Sequence, residues 1–202
     1  MIEPLVLLLF VAMTGCGGNE MPQFQGGDII FQESRSSQSE ALRFAMHSPY
    51  THMGVIFIDR HDSVVYEAVG PVKYTPLRKW VQQGAGGHCV VKRLSNAGRY
   101  LAGDGIDKLK AAGESYIGRP YDFLFSWSDE RIYCSELVWK MYEAAFGIEI
   151  GALQTFSDFD LSDPAVVKVI KERFPNGIPE DEVLISPAGI FNSELLTTVY
   201  EQ

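Results

Sequence analysis

The chain is organised around the run Asp129-Glu-Arg-Ile-Tyr-Cys-Ser-Glu-Leu-Val-Trp-Lys-Met-Tyr142. After Cys134, apolar residues recur at helical spacing as far as Ala145, and Gly147 follows as a stop signal. The pattern predicts a helix that begins at Cys134 and buries one face. A thiol there lies beside unpaired backbone N–H groups and the positive end of the helix dipole, which favour a thiolate and can stabilise an oxyanion. For Cys134 taken alone, a buried structural cysteine is the alternative interpretation.

The composition is that of an ordinary globular protein with a surplus of acidic residues. Of the 202 residues, 46% are hydrophobic and 12% aromatic, and the net charge is −9. This length predicts a single domain with a substantial core. Two lysine pairs, at positions 108 and 110 and at 168 and 171, are spaced like solvated helix faces and make no basic patch. Nucleic acid is therefore excluded as an expected partner.

The N-terminus resembles an export signal. Residues 4–13 form an apolar run too short for a stable membrane anchor, and Thr14-Gly-Cys-Gly17 follows. This pattern is similar to a bacterial lipoprotein signal, which would make Cys16 the lipidated first residue and hold the protein to the cell-envelope membrane. A plain cleaved secretory signal and an uncleaved apolar tail are the alternatives. We expect a leader at residues 1–16, a linker at 17–26 and a globular domain at 27–202.

Export would place the two remaining cysteines, Cys89 and Cys134, in an oxidising compartment where they could pair. However, Cys89 lies in the alternating run at residues 88–94, which predicts a strand. A domain of this size also has a core large enough to fold without a disulfide. The sequence therefore favours two free thiols.

Residues 50–59 and 64–69 are two β-rich runs around a polar turn, which predicts an antiparallel hairpin. His52 and Glu67 differ in parity, so an even-numbered loop places both side chains on one face. A two-residue turn at Asp59-Arg60 would set them directly opposite. An imidazole beside a carboxylate is an oriented general base, although a surface cross-strand pair is the alternative. Together with Cys134, the pair supplies a base and its orienter for a nucleophile.

The other predicted elements surround this hairpin and the Cys134 helix. They are a strand at residues 27–32, a helix at 38–47 with a capping pattern of Ser37 and Glu40, and a helix at 104–117, with short helices after Thr75-Pro76, Ser162-Asp-Pro164 and Ser186-Pro187.

Five motifs, in order, resemble one known family. They are Gly27-Asp28-Ile-Ile-Phe, Tyr50-Thr-His52-Met-Gly, Tyr66-Glu67-Ala-Val-Gly-Pro-Val-Lys-Tyr-Thr-Pro76, Gly118-Arg-Pro-Tyr121-Asp-Phe and Tyr133-Cys134-Ser-Glu-Leu-Val. They are similar to the bacterial YiiX-type proteins, a circularly permuted branch of the NlpC-type, papain-like cysteine hydrolases. The resemblance spans nearly all of residues 27–200. It implies an α+β papain-like domain in which an antiparallel sheet packs against the helix that bears the nucleophilic cysteine.

The resemblance also implies roles for individual residues. Cys134 matches the nucleophile, His52 the base and Glu67 the polar orienter, and the histidine precedes the cysteine as in the permuted branch. Tyr121 is similar in position to a tyrosine that assists the oxyanion hole in unpermuted members. Tyr133, beside the nucleophile, is a second candidate for oxyanion or substrate binding.

The expected activity is cleavage of an amide bond in a peptide or amino-acid conjugate, including peptidoglycan peptides, through a thioester acyl-enzyme. A lipid acyl hydrolase or acyltransferase is the competing enzyme, because permuted relatives act on lipid acyl groups and the aromatic residues 123–127 could line an acyl pocket. A ligand-binding lipoprotein without activity is the third hypothesis. No cofactor is expected, and the histidine spacings match no zinc pattern.

Overall fold

The computed structural model describes residues 23–36, 38–59 and 62–202. Its strands are β1 Ile29–Gln32, β2 His52–Asp59, β3 Asp62–Glu67, β4 Lys73–Pro76, β5 Val90–Leu94 and β6 Leu196–Glu201. Its α-helices are α1 Ser39–Met46, α2 Leu77–Gln83, α3 Ala97–Tyr100, α4 Gly105–Glu114, α5 Cys134–Phe146, α6 Pro164–Arg173 and α7 Pro187–Phe191. Short 3₁₀ turns lie at Ala85–Gly87 and Phe156–Asp158. In these ranges, every helix is too short or too polar to span a bilayer.

The strands form one antiparallel sheet in the order β4-β3-β2-β1-β5-β6. Side chains alternate between its two faces, as strand geometry requires. One face carries Phe31 and Val55 and shares the larger core with α5. The opposite face carries Ile30 and Ile56 and shares a smaller core with Trp80 of α2. This is the α+β arrangement expected from the sequence, with the Cys134 helix against an antiparallel sheet.

The helix α5 begins at Cys134, as its sequence pattern predicts. Its inward side chains, among them Leu137 and Met141, are completely buried in the larger core. The helix ends at Gly147, whose φ of 65° lies in the left-handed region that glycine adopts without steric cost. Burial of one helix face therefore fixes the position of Cys134 relative to the sheet.

The sequence patterns do not predict the two outer strands, β4 and β6. The strand β4 has only four residues and ends in Pro76, which lacks the N–H of a ladder donor and is tolerated at a sheet edge. The strand β6 is mostly exposed, so it lacks the alternation of a half-buried strand. Both become strands by pairing with β3 and β5, which is a tertiary effect.

Some sequence predictions concern residues outside the described ranges. These include the leader at 1–16 with Cys16, most of the linker at 17–26, and Ser37 of the proposed capping pattern. The lipidation of Cys16 stays a prediction. Gln38, which occupies the N-cap position of α1, makes no side-chain capping hydrogen bond.

Candidate active site

His52 and Glu67 form a buried pair between β2 and β3. His52 Nε2 lies 2.6 Å from Glu67 Oε2. Only 8% of His52 and 1% of Glu67 is exposed. Their side chains meet on one face of the hairpin, as the parity of the two positions predicts. A pair so enclosed is not the solvated cross-strand contact that was the alternative interpretation.

The register of the hairpin differs from the two-residue turn considered for Asp59-Arg60. Asp59 pairs with Asp62, and Val55 pairs with Tyr66, so each β2 residue pairs with a β3 residue two positions later than that turn would give. Continuing this ladder, Glu67 is two residues away from the position directly opposite His52. The carboxylate therefore reaches the imidazole diagonally, a distance that a long side chain can span.

Two further donors hold the Glu67 carboxylate. Thr75 Oγ1 donates to Oε1 at 2.6 Å, and Trp80 Nε1 donates to Oε2 at 2.8 Å. Burial opposes ionisation of Glu67, but the hydrogen bonds from His52, Thr75 and Trp80 lower its pKa. The Trp80 ring also stacks on His52, with 5.7 Å between the ring centroids. Sequence reasoning missed this role of Trp80, because its spacing from Leu77 indicates only core packing.

The imidazole of His52 connects this carboxylate to the thiol of Cys134. Since Nε2 faces Glu67, Nδ1 is the ring nitrogen left for the thiol. Burial alone would lower the pKa of His52, whereas its hydrogen bonds to Cys134 and Glu67 raise that pKa to about 9. The arrangement is that of a nucleophile, a base and an orienting acid, drawn from α5, β2 and β3.

The two described cysteines are both free thiols, as the sequence favours. Cys134 is 3% exposed and is the first residue of α5, whereas Cys89 lies in the smaller core, on the sheet face that packs against Trp80. Burial raises the pKa of the Cys89 thiol to about 11, so this side chain is a core residue without a nucleophilic role.

Tyr121 lies beside Cys134 with a hydroxyl suited to hydrogen-bond donation. Gln38 Nε2 donates to the Tyr121 hydroxyl oxygen at 3.5 Å, which leaves the phenolic proton for another acceptor. Burial, reinforced by the nearby Cys134, raises the pKa of Tyr121 well above its ordinary value. The phenol therefore stays protonated and can donate to an oxyanion formed on a carbon attacked by Cys134.

Tyr133 occupies the N-cap position of α5 and contacts a different segment. Its hydroxyl oxygen accepts from Ile185 N at 3.1 Å, and Ser135 Oγ donates to Ile185 O at 2.7 Å. Its backbone N–H donates to Glu136 Oε2 at 3.4 Å. These bonds anchor the start of the nucleophile helix to residues 184–186. The geometry favours such an anchoring role for Tyr133, and its oxyanion role stays a prediction.

Two pockets meet at this site. The first, here called the apolar pocket, is lined by α1, α6 and residues 184–187, and Cys134 is part of its lining. It encloses about 800 Å³ of empty space including its open mouth. Its walls are almost entirely hydrocarbon, with side chains such as Ala41, Met46, Ile170 and Leu184. An apolar group can therefore lie directly beside the thiol.

The second, here called the polar pocket, lies on the His52 side of the site. It is lined by Ser34, Ser36, Gln38, Thr51, His52, Ala68, Val69, Tyr121, Phe123 and Arg173 and encloses about 610 Å³ including its open mouth. Gln38, Thr51, Tyr121 and Arg173 also line the apolar pocket. The thiol and the imidazole thus stand where two chemically different pockets join.

Comparison of the chain with known proteins identifies a family. A family model described as the permuted papain-like amidase enzymes, YaeF/YiiX, C92 family, matches residues 23–200. The chain belongs to this family. Membership confirms the α+β papain-like fold and supports the cysteine hydrolase class expected from the motifs.

Two relatives of the YaeF/YiiX family are similar to the chain over most of its length. The uncharacterized protein YiiX of Escherichia coli (strain K12) is 47% identical over 180 residues, which are 89% of this chain and 88% of the relative. A crystal structure of YiiX from Escherichia coli O157:H7, described as a metalloprotein, matches with a TM-score of 0.84 at 47% identity. The match covers 88% of this chain and 97% of that chain. In the described part of the present chain, His, Cys, Asp and Glu side chains form no group of three or more suited to a metal ion.

Proposed function

We propose that this protein is a cysteine amidase that uses Cys134 as nucleophile, His52 as base and Glu67 as orienter. The observation that carries the proposal is the position of His52, whose Nε2 lies 2.6 Å from a buried carboxylate, while Cys134 and Glu67 together raise the pKa of the imidazole to about 9 against the effect of burial. A solely structural histidine does not need a thiol on one side and an ionised acid on the other. Glu67 stabilises the imidazolium that forms when the thiol loses its proton.

The chemical steps follow from these positions. The Cys134 thiolate attacks the amide carbonyl carbon, and the resulting oxyanion accepts hydrogen bonds from the N–H groups at the start of α5 and from Tyr121. The carbon–nitrogen bond then breaks as His52 donates its proton to the departing amine, which leaves a thioester on Cys134. His52 next takes a proton from water, which attacks the thioester and releases the carboxylic acid and the thiol.

The substrate class in this proposal is a peptide or amino-acid conjugate, and peptides of the cell wall are included in it. We further propose that the protein is exported and held at the envelope by a lipid on Cys16. Metabolic labelling of the expressed full chain with radioactive palmitate tests the second proposal. Incorporation that disappears in Cys16→Ser supports it, and the same incorporation in both proteins contradicts it.

Alkylation of Cys134 tests the catalytic proposal directly. The rate of iodoacetamide labelling is measured from pH 5 to 10 in the wild type, in His52→Ala and, as a matched control, in Cys89→Ser. We expect rapid labelling below pH 7 in the wild type and in the control, because an imidazolium stabilises the thiolate. Loss of His52 should make labelling follow an ordinary thiol. Identical profiles in wild type and His52→Ala would rule out the thiolate–imidazolium pair and favour the ligand-binding lipoprotein.

A lipid acyl hydrolase or acyltransferase is the second candidate, because Cys134 lines the apolar pocket. Matched substrates with the same eight-carbon acyl group, one an amide and one an ester, distinguish the two candidates. The amidase proposal predicts measurable cleavage of the amide, whatever the rate on the intrinsically more reactive ester. Cleavage of the ester alone, or transfer of the acyl group to an added amine, would favour the second candidate.

A further inference from the structure

Arg173, the last residue of α6, reaches into the junction of the two pockets. Its Nη2 donates to Gln38 Oε1 at 2.6 Å, and its Nη1 donates to the backbone carbonyl of Phe123 at 3.1 Å. The side chain therefore bridges α6, the start of α1 and the loop that precedes α5. Both acceptors are neutral oxygens, and a guanidinium has five N–H donors in all.

Arg173 has no ion-pair partner among the described residues, although the neighbouring Glu172 carboxylate acts to raise the pKa of Arg173. Among the described residues, Asp and Glu side chains form ion pairs with Arg43, His47, His52, Arg93, Lys108 and Lys140. No Asp or Glu carboxylate of the described residues lies within ion-pair distance of Arg173. The guanidinium is half-buried, and burial lowers the pKa of Arg173 from its ordinary value. A partly buried cation without an ion-pair partner loses some hydration without a direct ionic contact, and an anionic ligand would offset that cost.

The guanidinium is also held in a defined place. It lies over the rings of Phe123 and Phe125, with 5.5 Å and 5.9 Å from its central carbon to the ring centroids. The loop carrying these rings is fixed by the buried Asp122 carboxylate, which accepts from Leu124 N at 2.9 Å and from Ser126 N at 2.8 Å. A cation held in this way loses little further entropy when it binds an anion.

The chemistry of the proposed reaction assigns the two halves of a substrate to different pockets. The acyl half becomes bonded to Cys134, so it lies on the side of the thiol, where the apolar pocket begins. The departing amine takes its proton from His52, so it lies on the side of the imidazole, in the polar pocket. Arg173 lines that pocket together with Phe123 and Tyr121, and it also lines the apolar pocket, so its guanidinium can reach an anion on the leaving half close to the junction.

We propose that Arg173 is a specificity-determining residue that binds an anionic group on the leaving half of the substrate. This inference rests on the proposed function and narrows its substrate class to amides with an apolar acyl half and an acidic amine half. The shared chemistry of the anion is a carboxylate, as in a released amino acid, or a phosphate monoester. Hydrolysis of such an amide consumes one water and yields a carboxylic acid and the free amine.

A structural role for Arg173 is the competing explanation, since a cation in the last turn of a helix interacts favourably with the helix dipole. That role predicts a loss of stability when Arg173 is replaced, and it predicts no preference between charged and neutral ligands. The two explanations therefore differ in ligand selectivity, which can be measured without turnover.

Calorimetric titration tests the proposal in Cys134→Ser, which cannot form the thioester. The probes are octanoylglycine and its neutral counterpart octanoylglycinamide. We expect the anion to bind about 10- to 100-fold more tightly, as for a charge-assisted, partly desolvated contact. The preference should vanish in Cys134→Ser/Arg173→Gln and shrink in the corresponding Arg173→Lys protein. Arg99→Gln is the control, because it removes an exposed arginine that lies over the Tyr100 ring and is distant from Arg173 in the sequence. This variant should leave the preference unchanged.

A second pair of probes, octanoyl-phosphoethanolamine and octanoylethanolamine, tests whether a phosphate is bound with greater selectivity than a carboxylate. Stronger selectivity for either anion identifies the chemical source, and both outcomes support the proposal. Equal affinity for each anion and its neutral counterpart, absence of binding at millimolar concentration, or a preference that survives Arg173→Gln would overturn it. The first arm needs no Arg173 variant, so unfolding of that variant leaves the proposal testable. Failure here leaves the alkylation test of Cys134 unaffected.

Discussion

Gly54 faces Glu67 across the β2–β3 hairpin, and the absence of a side chain at Gly54 makes room for the His52–Glu67 pair. A Cβ atom at Gly54 would lie 2.5 Å from Val65 Cγ1, 2.6 Å from Tyr66 O and 3.3 Å from Glu67 Cβ. Glu67 must lean along the sheet to reach His52, because the register displaces the two by two residues. The Tyr50-Thr-His52-Met-Gly54 motif therefore contains a packing requirement as well as a base.

Gly54→Ala should disturb the pair through this overlap. We expect a loss of about 1–3 kcal/mol in the free energy of unfolding, typical of overpacking against a rigid backbone. The kcat/KM should fall more than stability alone explains, because Glu67 moves. Gly98→Ala is the matched control, since a Cβ at Gly98 meets nothing within 4 Å. Urea unfolding and kinetics on both variants check the prediction, which is wrong if Gly54→Ala behaves like Gly98→Ala.

Glu67→Gln should change the pH dependence of stability. The pKa of His52 is raised from 6.5 to about 9, so the charged imidazole stabilises the folded state fully below about pH 6.5. That contribution, of a few kcal/mol, is lost as pH rises through about 9. Glutamine keeps the shape but removes the negative charge, so the loss should begin at lower pH. Urea unfolding of both proteins from pH 6 to 10 measures the difference.

The same Glu67→Gln variant should lose activity by roughly 10²- to 10⁴-fold in kcat, because the imidazolium formed during attack is no longer stabilised. The alkaline limb of the pH–rate profile should move to lower pH. A variant with wild-type kcat and an unchanged limb would show that Glu67 plays no part in orienting or charging His52.

Trp80→Phe should remove one of the hydrogen bonds that hold the Glu67 carboxylate, while keeping an aromatic ring against His52. The lost N–H donates at 2.8 Å to a buried carboxylate, which predicts a cost of about 1–3 kcal/mol in stability and roughly a 10-fold loss in kcat/KM. Trp139→Phe is the control, because its N–H donates to the carbonyl of Gly151 at 3.3 Å, away from the triad. Equal kinetic losses in the two variants would mean that Trp80 acts only through general stability.

Tyr121→Phe and Tyr133→Phe should separate two phenols that lie close to the nucleophile. Removing the Tyr121 hydroxyl should lower kcat by roughly 10²- to 10³-fold with little change in KM, as for an oxyanion donor. Removing the Tyr133 hydroxyl leaves Ile185 N without its acceptor and should mainly cost about 1–3 kcal/mol in stability. Steady-state kinetics and thermal unfolding of both variants test the assignment. The reverse pattern would assign the oxyanion role to Tyr133.

Local sequence patterns were sufficient for the elements that bear Cys134, His52 and Glu67. Helical spacing after Cys134 and the stop at Gly147 predict α5, because both the buried face and the end of a helix are encoded within a few turns. The parity of His52 and Glu67 predicts a shared face, because side chains alternate on any strand. The exact register was not predictable in this way, since Asp62 joins β3 and pairs with Asp59, which shifts the pairing along β3 by two residues.

Tertiary structure alone decided what surrounds those three residues. Trp80 and Thr75 become partners of Glu67 only when α2 and β4 pack onto the hairpin. Arg173 meets Gln38 across 135 residues of chain, a contact that no local spacing can encode. Short-range patterns specify which residues share a helix or strand face, because backbone geometry repeats over a few residues. Pockets and their charges depend on which faces meet, and burial of the whole core determines that.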